Sequence, residues 1–135
     1  MMCARDSRRA IGTEVVEDYR TTLRRLALRE DRYIESLLAD DGVNATASTI
    51  TPRSHALVRV GALIAMNATP PSYMSAVAAA DEAGVTREEL VGTLIAVLPV
   101  VGVARVVSAA PNLGLALGYD VAEGLETLEQ AKRTS

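Results

Sequence analysis

The sequence predicts an all-α protein, a bundle of about six helices, and three observations carry that expectation. Apolar residues recur at gaps of three and four along most of the chain, while strand-like alternation is weak throughout. Helix-start signals recur at Thr51-Pro52, at Pro70-Pro71, and at Thr86 with Glu89 three residues on. Hydrophobic residues make up 49 % but aromatics only 3 %, with no Trp and no Phe. A core of Ala, Val, Leu and Ile buries little area per side chain, so helices that approach closely must supply the packing.

Taken in order, the first element is expected to be one long helix from about Thr13 to Asp40. Val16, Tyr19, Leu23, Leu26, Tyr33 and Leu37 form a coiled-coil-like seam in which Glu30 fills the one polar slot. Its other faces carry Arg20, Arg24, Arg25, Arg29 and Arg32 among Glu17, Asp31 and Glu35. That is the pattern of a solvated, ion-paired surface, or of a helix packed on a second subunit. "DDGVNATAST" (Asp40 to Thr49) reads as a helix stop and a loop, with Gly42 as the C-cap. A second helix starts near Thr51-Pro52 and runs to about Asn67. "TPPS" restarts the chain as a third helix that Gly84 closes. In "GVTREEL", Thr86 and Glu89 form a capping box for the fourth helix, which Pro99 is expected to kink or end. Val100 to Ala110 follows, and Pro111 is expected to force a second kink or break. The tail after Asp120 reads as a polar helix weakened by Gly124, which is expected to fray.

The 135 residues fit a single domain, 1–135. A net charge of −3 argues against a nucleic-acid partner, because phosphate binding wants a basic face. Cys3 is the only cysteine, so no internal disulfide forms, and its plain reading is an incidental thiol. "MMCARDSRRA" has charge but no apolar run behind it, so no signal peptide and a cytoplasmic location are expected. "LVGTLIAVLPVVGVA" (Leu90 to Ala104) is uncharged, but it is shorter than the ~20 residues a membrane span needs and holds Pro99. It is expected to be a buried core or interface helix rather than a membrane segment. Leu90 to Leu117 carries more apolar surface than one inward side requires. A homo-oligomer is therefore expected.

"AADEAGVTREELVGTLIAVLPVVGVARVVSAA" (Ala79 to Ala110), with "HALVRVGALIAMNATPPSYM" before it and "APNLGLALGYDV" after it, resembles the carboxymuconolactone decarboxylase and alkylhydroperoxidase-D-like superfamily. The likeness runs from about Thr51 to Tyr119, and it is to a bacterial subgroup without an assigned reaction. The resemblance implies an all-helical bundle assembled as a homotrimer or homohexamer, with a pocket near subunit contacts. It also implies where the family's reactive groups fall. The peroxidase branch's cysteine pair and following histidine correspond to Thr69, Ser72 and Ala76. Thr and Ser cannot cycle through a disulfide, so thiol peroxidase chemistry is not expected. The decarboxylase branch's histidine also corresponds to Ala76, whose methyl group moves no proton.

The residues that remain for chemistry are few. His55, the only histidine, stands one turn before Arg59 and shares a face with Ala62 and Met66. Arg59 suits a carboxylate and His55 can move a proton near neutral pH; the alternative is a surface or interface pair. Tyr73 and Tyr119 either line a pocket or plug helix ends. Thr69, Ser72 and Ala76 complete the candidate ligand-binding set, with helix capping as the plainer role for Ser72. Arg105, the only charge in a long apolar stretch, is expected to pair with an acid across a subunit boundary or to bind an anionic ligand; Met66 and Met74 read as core filler. One His and one Cys exclude the usual zinc patterns, and no cofactor is implied. Two functions stay open. One is a cofactor-independent decarboxylase, isomerase or lyase acting on a small hydrophobic acid or lactone, with His55 catalytic. The other is a non-catalytic oligomeric binding or scaffold protein that keeps the family fold.

Overall fold

The structure is a computed structural model that describes residues 18–135. Cys3, Val16 and the expected first turn from Thr13 to Glu17 lie outside the described residues. Among those described, every regular element is an α-helix and there is no strand, as the periodicity predicts. Eight helices are present among the described residues rather than about six. The chain divides into two compact units, one ending at Thr51 and the other Pro52–Ser135.

The first unit accounts for the difference in helix count. The expected single helix is two, α1 (Tyr19–Ala27) and α2 (Asp31–Ala39). The break falls on the polar slot of the seam. Arg29 is left-handed (φ 51°), Glu30 N donates to the Arg25 carbonyl at 2.9 Å, and Arg29 N donates to that of Leu26 at 3.1 Å. These paired bonds satisfy the last carbonyls of α1 in a manner usually built on glycine. Side chains hold the corner. Arg25 Nε donates to Glu30 Oε2 at 2.8 Å, and its guanidinium lies 3.9 Å from the centre of the Tyr33 ring. The expected loop after Asp40 is a third helix, α3 (Asp41–Ser48). Asp40 Oδ1 accepts from the amides of Gly42 (2.7 Å) and Val43 (3.4 Å), so the aspartate is an N-cap and Gly42 is not a C-cap. No residue of α1, α2 or α3 is fully buried.

The second unit is a four-helix arrangement of α4 (Pro52–Ala65), α5 (Pro70–Glu82), α6 (Arg87–Val101) and α7 (Val103–Ala116), followed by α8 (Val121–Thr134). α4 packs on α5 and α6, and α7 packs on the same two helices. α4 and α7 also meet along one diagonal, and α8 packs on α7. Spacing decides what is buried: Ala56, Val60 and Ile64 stand at intervals of four on α4, and meet Tyr73, Ala80, Leu90, Leu94, Ala109 and Leu113. Gly61 lets α4 approach α6, since a Cβ there would already touch Val97 Cγ1 at 3.4 Å.

The turns follow from local chemistry. Asn67 (φ 53°), Gly84 (φ 78°) and Gly118 (φ 83°) end α4, α5 and α7 in the left-handed conformation. At each, two amides close back on the last turn: Ala68 N to the Leu63 carbonyl at 3.0 Å, Val85 N to Ala80 at 3.0 Å, Tyr119 N to Gly114 at 2.8 Å. Thr86 and Glu89 form the expected capping box, with Glu89 N donating to Thr86 Oγ1 at 3.1 Å. Pro99 and Pro111 lie inside α6 and α7. The break between those helices is at Gly102 instead, whose φ of 90° and ψ of 163° only glycine adopts without strain. Gly124 has a use that propensity does not reveal, because the Tyr119 ring lies where its Cβ would be.

Candidate functional site

α5 and its N-cap carry Thr69, Ser72, Tyr73 and Ala76, four of the residues that the sequence singles out. Thr69 has N-cap geometry, but its side chain makes no capping bond. Pro70 and Pro71 lack amides, so Ser72 N is the first donor of the helix, and it reaches the Thr69 carbonyl at 3.1 Å. The cap is thus Thr69, not Ser72. From there the core-facing side of α5 runs through Ser72, Tyr73 and Ala76 to Ala80. Ser72 is half-buried, Ala76 packs against the core, and Tyr73 is 0 % exposed within it. The Tyr73 hydroxyl has no hydrogen-bond partner among the described residues, and burial raises its pKa above the usual tyrosine range.

His55 and Arg59 lie on α4 beside the core stripe of Ala56 and Val60. His55 is half-buried, and Arg59, Ala62 and Met66 are exposed. Tyr119 is exposed in the turn between α7 and α8. The candidates therefore occupy three elements: α4, the start of α5, and the turn after α7. Two other expectations are corrected. Met66 and Met74 are exposed rather than core filler. Arg105 is exposed and makes no ion pair among the described residues of this one chain.

The charge network of this unit centres on Arg53 instead. Its guanidinium donates to the Gly84 carbonyl and to Glu89 Oε2, tying the start of α4 to the turn between α5 and α6. The hydrogen bond from Arg53 holds the Glu89 carboxyl below the usual glutamate range, helped by the amide and hydroxyl of Thr86. Sequence reading placed Glu89 correctly in its cap but had no signal for Arg53, which stands thirty-six residues earlier.

A cleft of about 290 Å³ opens where α5, the start of α6 and the end of α7 converge. Val77, Val85, Leu90 and Leu117 give it apolar walls, and Asp81 and Arg87 add one charge of each sign. None of the sequence-predicted candidates (His55, Arg59, Thr69, Ser72, Tyr73, Ala76, Tyr119) lines it. Asp81 and Arg87 read in sequence as ordinary surface charges beside a capped turn, and only the fold puts them around one recess. Among the described residues no group of three or more His, Cys, Asp or Glu is placed to hold a metal ion. No described helix is long and apolar enough to cross a membrane.

A second surface feature is apolar. Along α6 and into α7, Val91, Ile95, Leu98, Val100, Val103 and Val107 are all exposed, Val100 to 85 %. Arg105 is the only charge between Leu90 and Leu117. Comparison with known proteins finds no matching family model, no matching curated protein and no matching solved structure.

Proposed function

We propose that this chain is a non-catalytic, self-associating helical protein, a homotrimer or homohexamer of carboxymuconolactone-decarboxylase-like build that carries no thiol chemistry. The exposed apolar run from Val91 to Val107 carries the reading. Apolar side chains left in water in one contiguous stretch favour burial against another protein surface. A stretch with one charge offers little to a polar partner, and a second copy presents the same stretch in return. The order of α4, proline-rich restart, α5, capped turn, α6, Gly102 and α7 supports the family assignment. The burial of Tyr73 and the packing of Ala76 support the absence of chemistry at the family's usual place, because that side of α5 is core. A cytoplasmic setting fits a chain with one cysteine.

Size-exclusion chromatography with light scattering tests the reading. The expected species is three or six times the 14.3 kDa chain mass, and Ile95→Arg or Val103→Arg shifts it toward the monomer. A wild-type protein that elutes as a single 14.3 kDa species at micromolar concentration sinks the proposal.

One observation favours a second reading. His55 is half-buried one turn from the exposed Arg59, so an acid–base group stands beside an anion holder. A cofactor-free lyase or decarboxylase acting on a small hydrophobic acid or lactone requires that His55→Gln abolish turnover with an unchanged melting curve.

A further inference from the structure

From the cleft between α5, α6 and α7 we infer a binding site for a zwitterionic, apolar amino acid of about the size of leucine. Its volume, about 290 Å³, lies just below the ~300–1,000 Å³ range of small-molecule sites. That suits a single amino acid. The floor is dry: Val85 is 6 % and Leu90 2 % exposed, with Val77 and Leu117 packed against the core beside them. Ala78 and Ala116 keep the recess open, because neither fills the space between its walls.

The charges select the ligand. Asp81 and Arg87 both line the cleft, yet neither makes an ion pair among the described residues, with each other or with anything else. A plain fatty acid satisfies Arg87 and is repelled by Asp81, and an alkylamine has the reverse problem. An α-amino acid presents a carboxylate to Arg87 and an ammonium to Asp81, and its side chain covers Val77 and Leu90. No residue of the exposed α6–α7 run lines the cleft, so the site stands apart from self-association.

Titration of the full chain, followed by amide NMR shifts, reads the site with three probes. L-leucine carries both charges, 4-methylpentanoate lacks the ammonium, and 3-methylbutylamine lacks the carboxylate. Leucine is expected to shift the amides of Val77, Ala78 and Leu117 saturably, with a Kd of about 1 mM. Each truncated probe binds about two- to fivefold more weakly, the worth of one solvent-exposed ion pair. Arg87→Gln weakens leucine and strengthens the amine, whose ammonium Arg87 repels; Asp81→Asn weakens leucine and strengthens the carboxylate in the same way. Both side chains are exposed, and an unchanged melting curve confirms that each variant is folded. No saturable shift with leucine up to ~50 mM overturns the inference, as does equal binding of all three probes or full leucine binding by Arg87→Gln.

Discussion

Replacing Tyr73 by phenylalanine isolates the cost of a single hydroxyl. The ring is 0 % exposed among Ala, Val, Leu and Ile side chains, and its oxygen has no partner among the described residues. In the unfolded chain that oxygen bonds water, so folding strips it without compensation. Leaving a buried polar group unsatisfied costs about 1–3 kcal/mol. Phenylalanine keeps the ring and removes the cost, so Tyr73→Phe should raise stability by at least about 1 kcal/mol. For a unit of this size each kcal/mol moves Tm by about 4–8 °C. The urea midpoint should rise at unchanged slope, since the surface exposed on unfolding is the same. Tyr73→Ala supplies the contrast: it empties the ring's place and should cost about 3–5 kcal/mol. The raised tyrosine pKa adds a pH signature. The folded protein holds the phenolic proton to higher pH than the unfolded chain, so this group's contribution is present below the ordinary pKa of 10.0 and is lost as pH rises beyond it. Tyr73→Phe should remove that alkaline loss. A Tyr73→Phe protein less stable than wild type would refute the reasoning, for it would mean that the hydroxyl is bonded in solution.

Three further predictions concern joints of the fold. Glu89 has its pKa lowered first by the Arg53 hydrogen bond, so it contributes stability above the ordinary value of 4.5 that is lost as pH falls through the depressed one; Glu89→Gln should flatten that acid limb in denaturant titrations between pH 5 and 2, and an unchanged limb would show the clamp to be absent. Gly114 and Gly124 separate backbone from side-chain crowding. A Cβ at Gly114 would sit 2.9 Å from the Tyr119 carbonyl oxygen, so Gly114→Ala should cost about 1–3 kcal/mol in thermal melts. At Gly124 it would meet the movable end of the exposed Tyr119 side chain, so Gly124→Ala should displace the ring and gain up to ~1 kcal/mol of helix stability. Arg29 adopts φ 51° at the end of α1, a conformation that costs a residue with a Cβ about 1–2 kcal/mol; Arg29→Gly should therefore stabilise the first unit, with lower helicity by circular dichroism as the contrary result.

The legible parts of this fold are those decided within a few residues. The Thr86–Glu89 box, the Pro70-Pro71 start and the Gly84 stop each involve groups within four positions of one another, and sequence inspection places all three. The break at Arg29 was hidden for a physical reason. Arginine is an unusual left-handed residue, and the seam's spacing continues across it, so Glu30 looked like a flaw in one helix rather than the start of another. At Asp40 the same side chain serves as an ending or a beginning, and the choice is made by whether Gly42 and Val43 turn their amides toward it. Pro99 does not end its helix: a helix whose neighbours hold it tolerates proline, whereas Gly102 permits a backbone turn that no other residue takes easily.

The sequence by itself determined that this chain is helical, where most of its helices start and stop, and that one cysteine leaves no internal disulfide. The helical outcomes depend on short-range groups: hydroxyls and carboxylates near free amides, and apolar residues at the helical repeat. Tertiary structure alone decided that Tyr73 is sealed in the core, that Arg53 reaches Glu89, and that Asp81 and Arg87 flank one apolar recess. It also left the valines of α6 and α7 facing outward. These are facts about which faces of separate helices meet, and helical periodicity says that a side chain lies on a face without saying what that face will touch.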